Sequence, residues 1–308
     1  MTSFAPGRPD RALIYVHAVK LIPANETPTR LGDEDLVIHG ENSAVLPRLP
    51  SGAFDLVYID PPFNTGIERR LRSQRMVRDP DGDRLGFGGR RYSTRVVTEL
   101  AYGDPVHGDY LAFLAPRLEQ ARRVLAAHGT LYLHLDYREA HYAKVLLDDL
   151  FGRDAFLNEI VWAYDYGGRS RRRWPAKHDT ILVYARTPGE HHFDSAEVDR
   201  EPYMAPGLVG PDKAARGKLP TDCWWHTIVP TSGAERTGYP TQKPEGILRR
   251  IVAASSRPGG RCLDFFAGSG TLGAACRSLD RRFVLVDESA EAIGVILRRL
   301  GEPVPASP

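Results

Sequence analysis

FDLVYIDPPFNTG, Phe54 to Gly66, begins with a short, almost wholly apolar run of β-formers: Phe54, Leu56, Val57, Tyr58 and Ile59. A strand buried on both faces of a parallel sheet has that composition, so the run predicts a central strand. Asp60 follows at its carboxyl end, and Pro61 and Pro62 then stop the ladder, because proline has no N–H to donate to it. The tip presents a carboxylate, two stiff residues, the ring of Phe63 and the amide of Asn64 together, at the sheet edge where open α/β folds bind ligands. An exocyclic amine of a nucleobase is a poor nucleophile, since its lone pair is delocalised into the ring. Two acceptors aimed at its hydrogens, the Asp60 carboxylate and the Pro61 carbonyl, would favour the pyramidal amine and stabilise the positive charge developing on nitrogen. Phe63 suits stacking on the base, worth about 1–3 kcal/mol. A rigid strand exit without chemistry is the plainer reading of Asp-Pro-Pro, and a short motif alone does not separate the two.

Upstream, residues 1–30 carry several prolines and no period, which predicts an irregular arm with one short strand around Ala12 to Val16. Leu36 to His39 reads as a strand whose polar tip holds Glu41, either a ligand-facing acid or a solvated turn residue. Downstream, Asn64 to Gly103 is glycine-rich and basic, with nine arginines, Arg69, Arg90 and Arg91 among them, against five acids. A basic loop leaving a ligand-binding tip is suited to fold over nucleic acid, although a charged loop without a partner has the same composition.

Apolar residues at helical spacing predict a helix from Tyr110 to Ala127, with Gly129 as its stop. Thr130 to Asp136 is the next buried strand; His134 near its end is either a satisfied core residue or a catalyst. A helix from Glu139 to Leu150 and strands at Ile160–Tyr164 and Thr180–Ala185 follow. Between those strands GGRSRRRWPAK, Gly167 to Lys177, holds five basic residues and no acid. Arg169, Arg171, Arg172 and Arg173 beside Trp174 fit phosphates and unstacked bases, and equally an exposed basic loop. From Pro188 to Thr241 the alternation lapses into proline, glycine and aromatics, an insertion in which Trp224 and Trp225 are either core or contact residues.

The rhythm resumes with a helix at Glu245–Ala254, a strand at Arg261–Phe266, the turn Ala267-Gly268-Ser269-Gly270-Thr271, a helix at Leu272–Ser278 and a strand at Phe283–Val286 closed by Asp287. Glycines let the turn approach a ligand closely, and an acid at the next strand's end suits the two hydroxyls of a ribose. Gly268 and Asp287 lie 19 residues apart, close to the spacing of about 20 in dinucleotide folds.

At 308 residues the chain is long enough for one large or two modest domains. With 41 basic and 39 acidic residues the net charge is +2, so nucleic-acid affinity must come from local clusters. Cys223, Cys262 and Cys276 are widely spaced without a CxxC, giving neither a disulfide framework nor a zinc site; reduced thiols in a cytoplasmic protein are expected. No run of about 18 apolar residues predicts a membrane span.

DPPF at 60–63, PTQKP at 240–244 and DFFAGSGT at 264–271 together resemble the hallmark motifs of S-adenosylmethionine-dependent DNA amino-methyltransferases. Their order, catalytic motif first and cofactor motif last, resembles the β-class of restriction-modification and orphan enzymes, and the likeness runs with gaps from Leu36 to Ile296. The resemblance implies a Rossmann-like α/β fold, a mainly parallel seven-stranded sheet with helices on both faces and a circularly permuted motif order. It divides the chain into a catalytic half at 31–163, a target-recognition region at 164–240, a cofactor half at 241–301 and a tail at 302–308. By resemblance Asp60, Pro61, Pro62 and Phe63 are catalytic; Asp60, Thr241, Gln242, Lys243, Phe266, Ala267, Gly268, Ser269, Gly270, Thr271 and Asp287 hold the cofactor. Glu41, standing where the family usually carries aspartate, is placed at the cofactor as well, and Phe63 replaces the commoner tyrosine. Aspartate at the first motif position points to the 6-amino group of adenine, with the cytosine 4-amino group as alternative. Double-stranded DNA is the implied partner, contacted by Asn64, the arginines named above and Trp174. A homodimer and a cognate endonuclease are further expectations; a metal is not. An oxidoreductase using the same glycine turn, and a DNA-binding module without activity, are the competing readings.

Overall fold

The structure, a computed structural model, describes residues 17–64, 68–79, 81, 84–85, 91–103, 109–167 and 169–305. In chain order its elements are β1 (Val19–Pro23), β2 (Asp35–His39), the one-turn helix α1 (Asn42–Val45), β3 (Phe54–Ile59), β4 (Glu68–Arg78), β5 (Arg84–Leu85), β6 (Arg91–Gly103), α2 (Tyr110–Val124), β7 (Leu125–Leu135), α3 (Ala140–Phe151), β8 (Phe156–Ala163), β9 (His178–Ala185), α4 (Pro211–Arg216), β10 (Cys223–Trp225), α5 (Glu245–Ser255), β11 (Arg261–Asp264), α6 (Thr271–Ser278), β12 (Arg282–Asp287) and α7 (Ala290–Arg299).

β3 is central, as its composition predicts. Val57 and Ile59 enter the core shared with Leu114 and Leu118 of α2, whereas Leu56 and Tyr58 enter the opposite core with Ile247 and Ile251 of α5. Burial on both faces explains why the run shows no polar alternation. The sheet order is β1-β2-β12-β11-β3-β7-β9-β8-β10, and β9 alone runs against the rest. The Rossmann-like expectation holds, but the sheet has nine strands among the described residues, not seven. Two short outer strands make the difference: β1 pairs in parallel with β2, and β10 with β8. Each gives the backbone N–H and C=O groups of an otherwise open edge a partner. The irregular arm is corrected to the same extent; the strand expected around Ala12 to Val16 lies outside the described residues.

Two further expectations change. Among the described residues of the basic segment 64–103 most are strand and not loop: β4 and β6 pair antiparallel over most of their length, and β5 adds to β6. Tyr92, Thr94, Val96, Thr98, Leu100 and Tyr102 put β-formers at alternate positions, a period-two signal obscured by the arginines around them. Gly129 is not a helix stop, because α2 ends at Val124 and Leu125 opens β7 directly. A side chain at Gly129 would meet the Phe54 carbonyl at 2.8 Å, so glycine there permits the close pairing of β7 with β3. In the insertion the two tryptophans separate: Trp224 is 6% exposed and Trp225 is 78% exposed.

Candidate active site

The strands β2, β12, β11 and β3 are neighbours and parallel, so their carboxyl ends meet along one edge. Around them lies a cavity of about 300 Å³, lined by Glu41 after β2, Asp60 and Pro62 after β3, Phe266, Ala267, Gly268 and Ser269 after β11, and Asp287 at the end of β12. Thr241 and Lys243 approach from the segment before α5, and Thr271 from the first turn of α6. Asp60 and the glycine turn, some two hundred residues apart in sequence, thus face one cleft.

The glycine turn has the geometry its composition predicts. Gly268 and Gly270 have φ of +49° and +70°, the left-handed region that glycine enters without a steric penalty. A side chain on Gly268 would lie 3.2 Å from the Tyr239 ring. Asp287 is tied to the turn, its carboxylate oxygens accepting from the N–H of Gly268 at 2.8 Å and of Ser289 at 2.9 Å. Burial pushes Asp287 up to about 6 in spite of those two donors, and Glu288 adds to the rise. Asp264 at the end of β11 also lines the cleft; burial, reinforced by the charges of Asp60 and Asp287, holds its carboxyl well above the usual range. An acid-rich, glycine-walled cleft of this kind suits a ligand that carries positive charge and a diol, as S-adenosylmethionine does.

At the tip of β3, Lys243 Nζ pairs with Asp60 Oδ2, while Asp60 Oδ1 is buried without a hydrogen-bond partner among the described residues. The Tyr110 hydroxyl donates to the Pro62 carbonyl at 2.6 Å, which fixes the double-proline turn against α2. Phe63 is half-buried beside His134, ring centroids 6.0 Å apart. His134 itself is a core residue: Nδ1 lies 2.8 Å from the Tyr58 hydroxyl and Nε2 3.2 Å from Asp179. The neutral tautomer with its proton on Nε2 satisfies both contacts.

Several expected ligands have other engagements. Gln242 does not line the cleft; its carbonyl oxygen accepts from Thr237 N and Oγ1, both at 2.8 Å, and its amide donates to the Glu235 carbonyl, so it staples the loop. Gly270 is likewise set back, against Ile296. Pro61 is buried and is not among the residues lining the cleft. Asn64, expected at DNA, donates to Glu139 and ties the strand exit to α3. Glu41 lines the cleft but pairs with Arg117 at 2.6 Å. That arginine also donates to Asn42 at 2.7 Å and lies 4.0 Å over the Phe113 ring. Arg117, Asn42, Phe113 and Tyr239 are cleft residues that no motif marks: Tyr239 and Asn42 are direct sequence neighbours of Pro240 and Glu41, whereas Phe113 and Arg117 come from the middle of α2, where only the fold brings them to the cleft. Arg169, Arg171, Arg172, Arg173 and Trp174 are all exposed, Trp174 at 94%. They join β8 to β9 at the edge that carries Asp60, since β8 runs parallel to β3. Arg91 is exposed at the start of β6, the backbone of Arg69 lies in β4, and Arg90 lies outside the described residues.

A doubly covered, mainly parallel sheet whose acid-tipped strand and glycine turn share one cleft defines a Rossmann-like nucleotide-cofactor transferase. The chain belongs to the DNA methylase family, whose match spans residues 54–298. It is 29% identical over 257 residues to the type II methyltransferase M.HpaI of Haemophilus parainfluenzae, covering 83% of this chain and 70% of the relative. It is 28% identical over 282 residues to the DNA adenine methyltransferase YhdJ of Escherichia coli K12, covering 89% and 85%. The M1.HpyAVI–SAM complex shares the fold, with a TM-score of 0.55 at 17% identity over 86% of this chain and 98% of that one. The expectation of an S-adenosylmethionine-dependent DNA amino-methyltransferase is thereby borne out, against the oxidoreductase and the inactive binding module. No helix among the described residues is long and apolar enough to cross a membrane.

Proposed function

We propose that this protein methylates the 6-amino group of adenine at a specific site in double-stranded DNA. The observation that carries the reading is that Asp60, at the tip of β3, and the Gly268 turn line one cleft. Aspartate at the first motif position and the likeness to an adenine-specific relative support adenine over cytosine. S-adenosylmethionine supplies an activated methyl group whose bonding pair departs with sulfur. The Gly268 turn would hold the cofactor, and Asp287 would accept from its ribose hydroxyls. Flipping the base out of the duplex costs a few kcal/mol. Phe63 stacks on the flipped ring, and Asp60 with the Pro61 carbonyl accepts the two amine hydrogens. These acceptors localise the lone pair for attack, stabilise the charge on nitrogen, and lie on the path of the proton the product amine loses. Positioning of the partners accounts for much of the rate, since well-oriented reactants gain about 7–11 kcal/mol. Residues 164–240 read the target site, with Arg169, Arg171, Arg172, Arg173 and Trp174 on the backbone and unstacked bases; the β4–β6 ribbon, carrying Arg69 and Arg91, flanks the duplex, and Arg90 is a further expected DNA contact. A homodimer, a cognate endonuclease and a nucleoid-associated, cytoplasmic setting complete the proposal.

Direct sequencing of modified bases in DNA from a host expressing the protein tests it. Methylation at adenine N6 within one recurrent sequence is expected. Methylation at cytosine N4 would move the target to cytosine, and unmodified DNA would overturn the reading.

A further inference from the structure

Lys243 touches both groups that the target base needs. Its ammonium pairs with Asp60 Oδ2 and stands 5.0 Å from the centroid of the Phe63 ring. Asp60 Oδ1 is buried, so Oδ2 is the oxygen that faces the cleft, and Lys243 holds it. The lysine side chain is itself only 13% exposed. Its backbone is fixed from the cofactor side: the Lys243 carbonyl accepts from Thr271 Oγ1 at 3.1 Å, and Arg299 donates to the same hydroxyl at 2.9 Å. The mobile part is therefore the side chain, a flexible four-carbon stem carrying three donors.

We propose that Lys243 is a place-holder for the target base. In the unfilled site its ammonium stands where the exocyclic amine will donate, and its position over Phe63 lies where the base ring will stack. Both ligands of this spot are donors to a carboxylate and both rest on an aromatic face, so the site accepts one or the other. Asp60 and Asp287 line the same cleft, and the Lys243 ammonium compensates Asp60 until a base arrives. Entry of the base then requires the lysine to give up Oδ2 and swing aside. This inference rests on the proposed function, because it assigns the order in which the same carboxylate is used.

The test is steady-state transfer of tritiated methyl from S-adenosylmethionine to DNA at pH 8.5 by the wild type, Lys243→Met and Lys243→Arg, with cofactor binding to each measured by calorimetry. Methionine keeps the stem and drops the charge; arginine keeps the charge and binds a carboxylate through two donors. A place-holder predicts that Lys243→Met lowers KM for DNA about tenfold, because a charge-assisted hydrogen bond no longer has to be broken. Lys243→Arg should raise KM for DNA, read at saturating S-adenosylmethionine so that any change in cofactor affinity, measured separately, does not enter. A lysine that merely orients Asp60 gives the reverse, a fall in kcat for Lys243→Met and recovery with arginine, and that pattern overturns the inference. Should Lys243→Met transfer nothing, 2-aminopurine placed at the methylated position of the site found by sequencing decides. Fluorescence above the wild-type complex supports the place-holder; equal or lower fluorescence overturns it. A wild type that transfers no methyl to DNA would instead overturn the proposed function.

Discussion

Lowering the pH from 8 to 5 should weaken binding of S-adenosylmethionine about tenfold, with Asp287 as the cause. Burial raises this carboxyl from its ordinary 3.8 to about 6, opposed by the N–H groups of Ser289 and Gly268. Ribose hydroxyls donate to the ionised form, whereas a protonated acid offers a donor where an acceptor is required. With a pKa near 6, the ionised fraction falls from almost unity at pH 8 to about one-tenth at pH 5, and apparent affinity follows it. Stability of the unliganded protein moves in the opposite sense. A carboxyl whose folded pKa lies above its unfolded value stabilises the fold below the unfolded pKa of 3.8, and that contribution is lost as the pH rises through about 6. The full span of about two units corresponds to about 3 kcal/mol. Of this, about 1.4 kcal/mol falls between pH 5 and pH 8. Asp287→Asn should thus lose cofactor affinity and its pH dependence, while gaining stability relative to wild type as the pH rises. The net gain at pH 8 is held down because one of the two N–H donors loses its acceptor, at about 1–3 kcal/mol. Calorimetric titration of both proteins with S-adenosylmethionine at pH 8, 7, 6 and 5, beside urea unfolding at the same values, measures both effects. A wild-type affinity that stays flat, or an Asp287→Asn protein that retains the tenfold change, would refute the reasoning.

Asp60→Ala should bind S-adenosylmethionine within a few-fold of wild type and transfer no measurable tritiated methyl to DNA; residual transfer above about one per cent would remove Asp60 from its role, given that a single oriented group supplies about 10²–10⁴-fold. Replacing Arg171, Arg172 and Arg173 together by alanine should make the plot of log affinity against log salt shallower by about 0.9 for each phosphate that is no longer neutralised. An unchanged slope in gel-shift titrations would take this loop off the DNA. His134→Ala should destabilise the fold by about 1–3 kcal/mol, because the buried Asp179 carboxylate loses one of its hydrogen-bond donors and keeps the Tyr164 hydroxyl. The pairing with His134 helps hold Asp179 below its ordinary range despite burial, so the wild-type contribution is present at neutral pH and fades as the pH falls through the depressed value. Urea midpoints of the two proteins that coincide at pH 7 would contradict this.

What the sequence determined by itself was the set of local elements and the chemistry at their tips. β3 announces itself because burial on both faces removes polar residues from the run, and its end because proline cannot continue a ladder. The glycine turn is legible because only glycine takes φ of +49° and +70° at no cost, and Asp287 because an acid closing the next strand has a restricted set of uses. The β4–β6 ribbon was written in alternating β-formers, but charge concealed the period. Tertiary structure alone decided which tips meet. The neighbour relations β2-β12-β11-β3 bring Glu41, Asp60, the Gly268 turn and Asp287 to one cleft, although β11 and β12 follow β3 by some two hundred residues. It alone engaged Gln242 and Asn64 away from the ligand, recruited Arg117 and Tyr239, and set Lys243 on Asp60. Backbone preferences and hydrophobic periodicity act over a few residues and so leave a trace in the string. Strand order and side-chain pairing depend on how whole faces bury one another, which no local window contains.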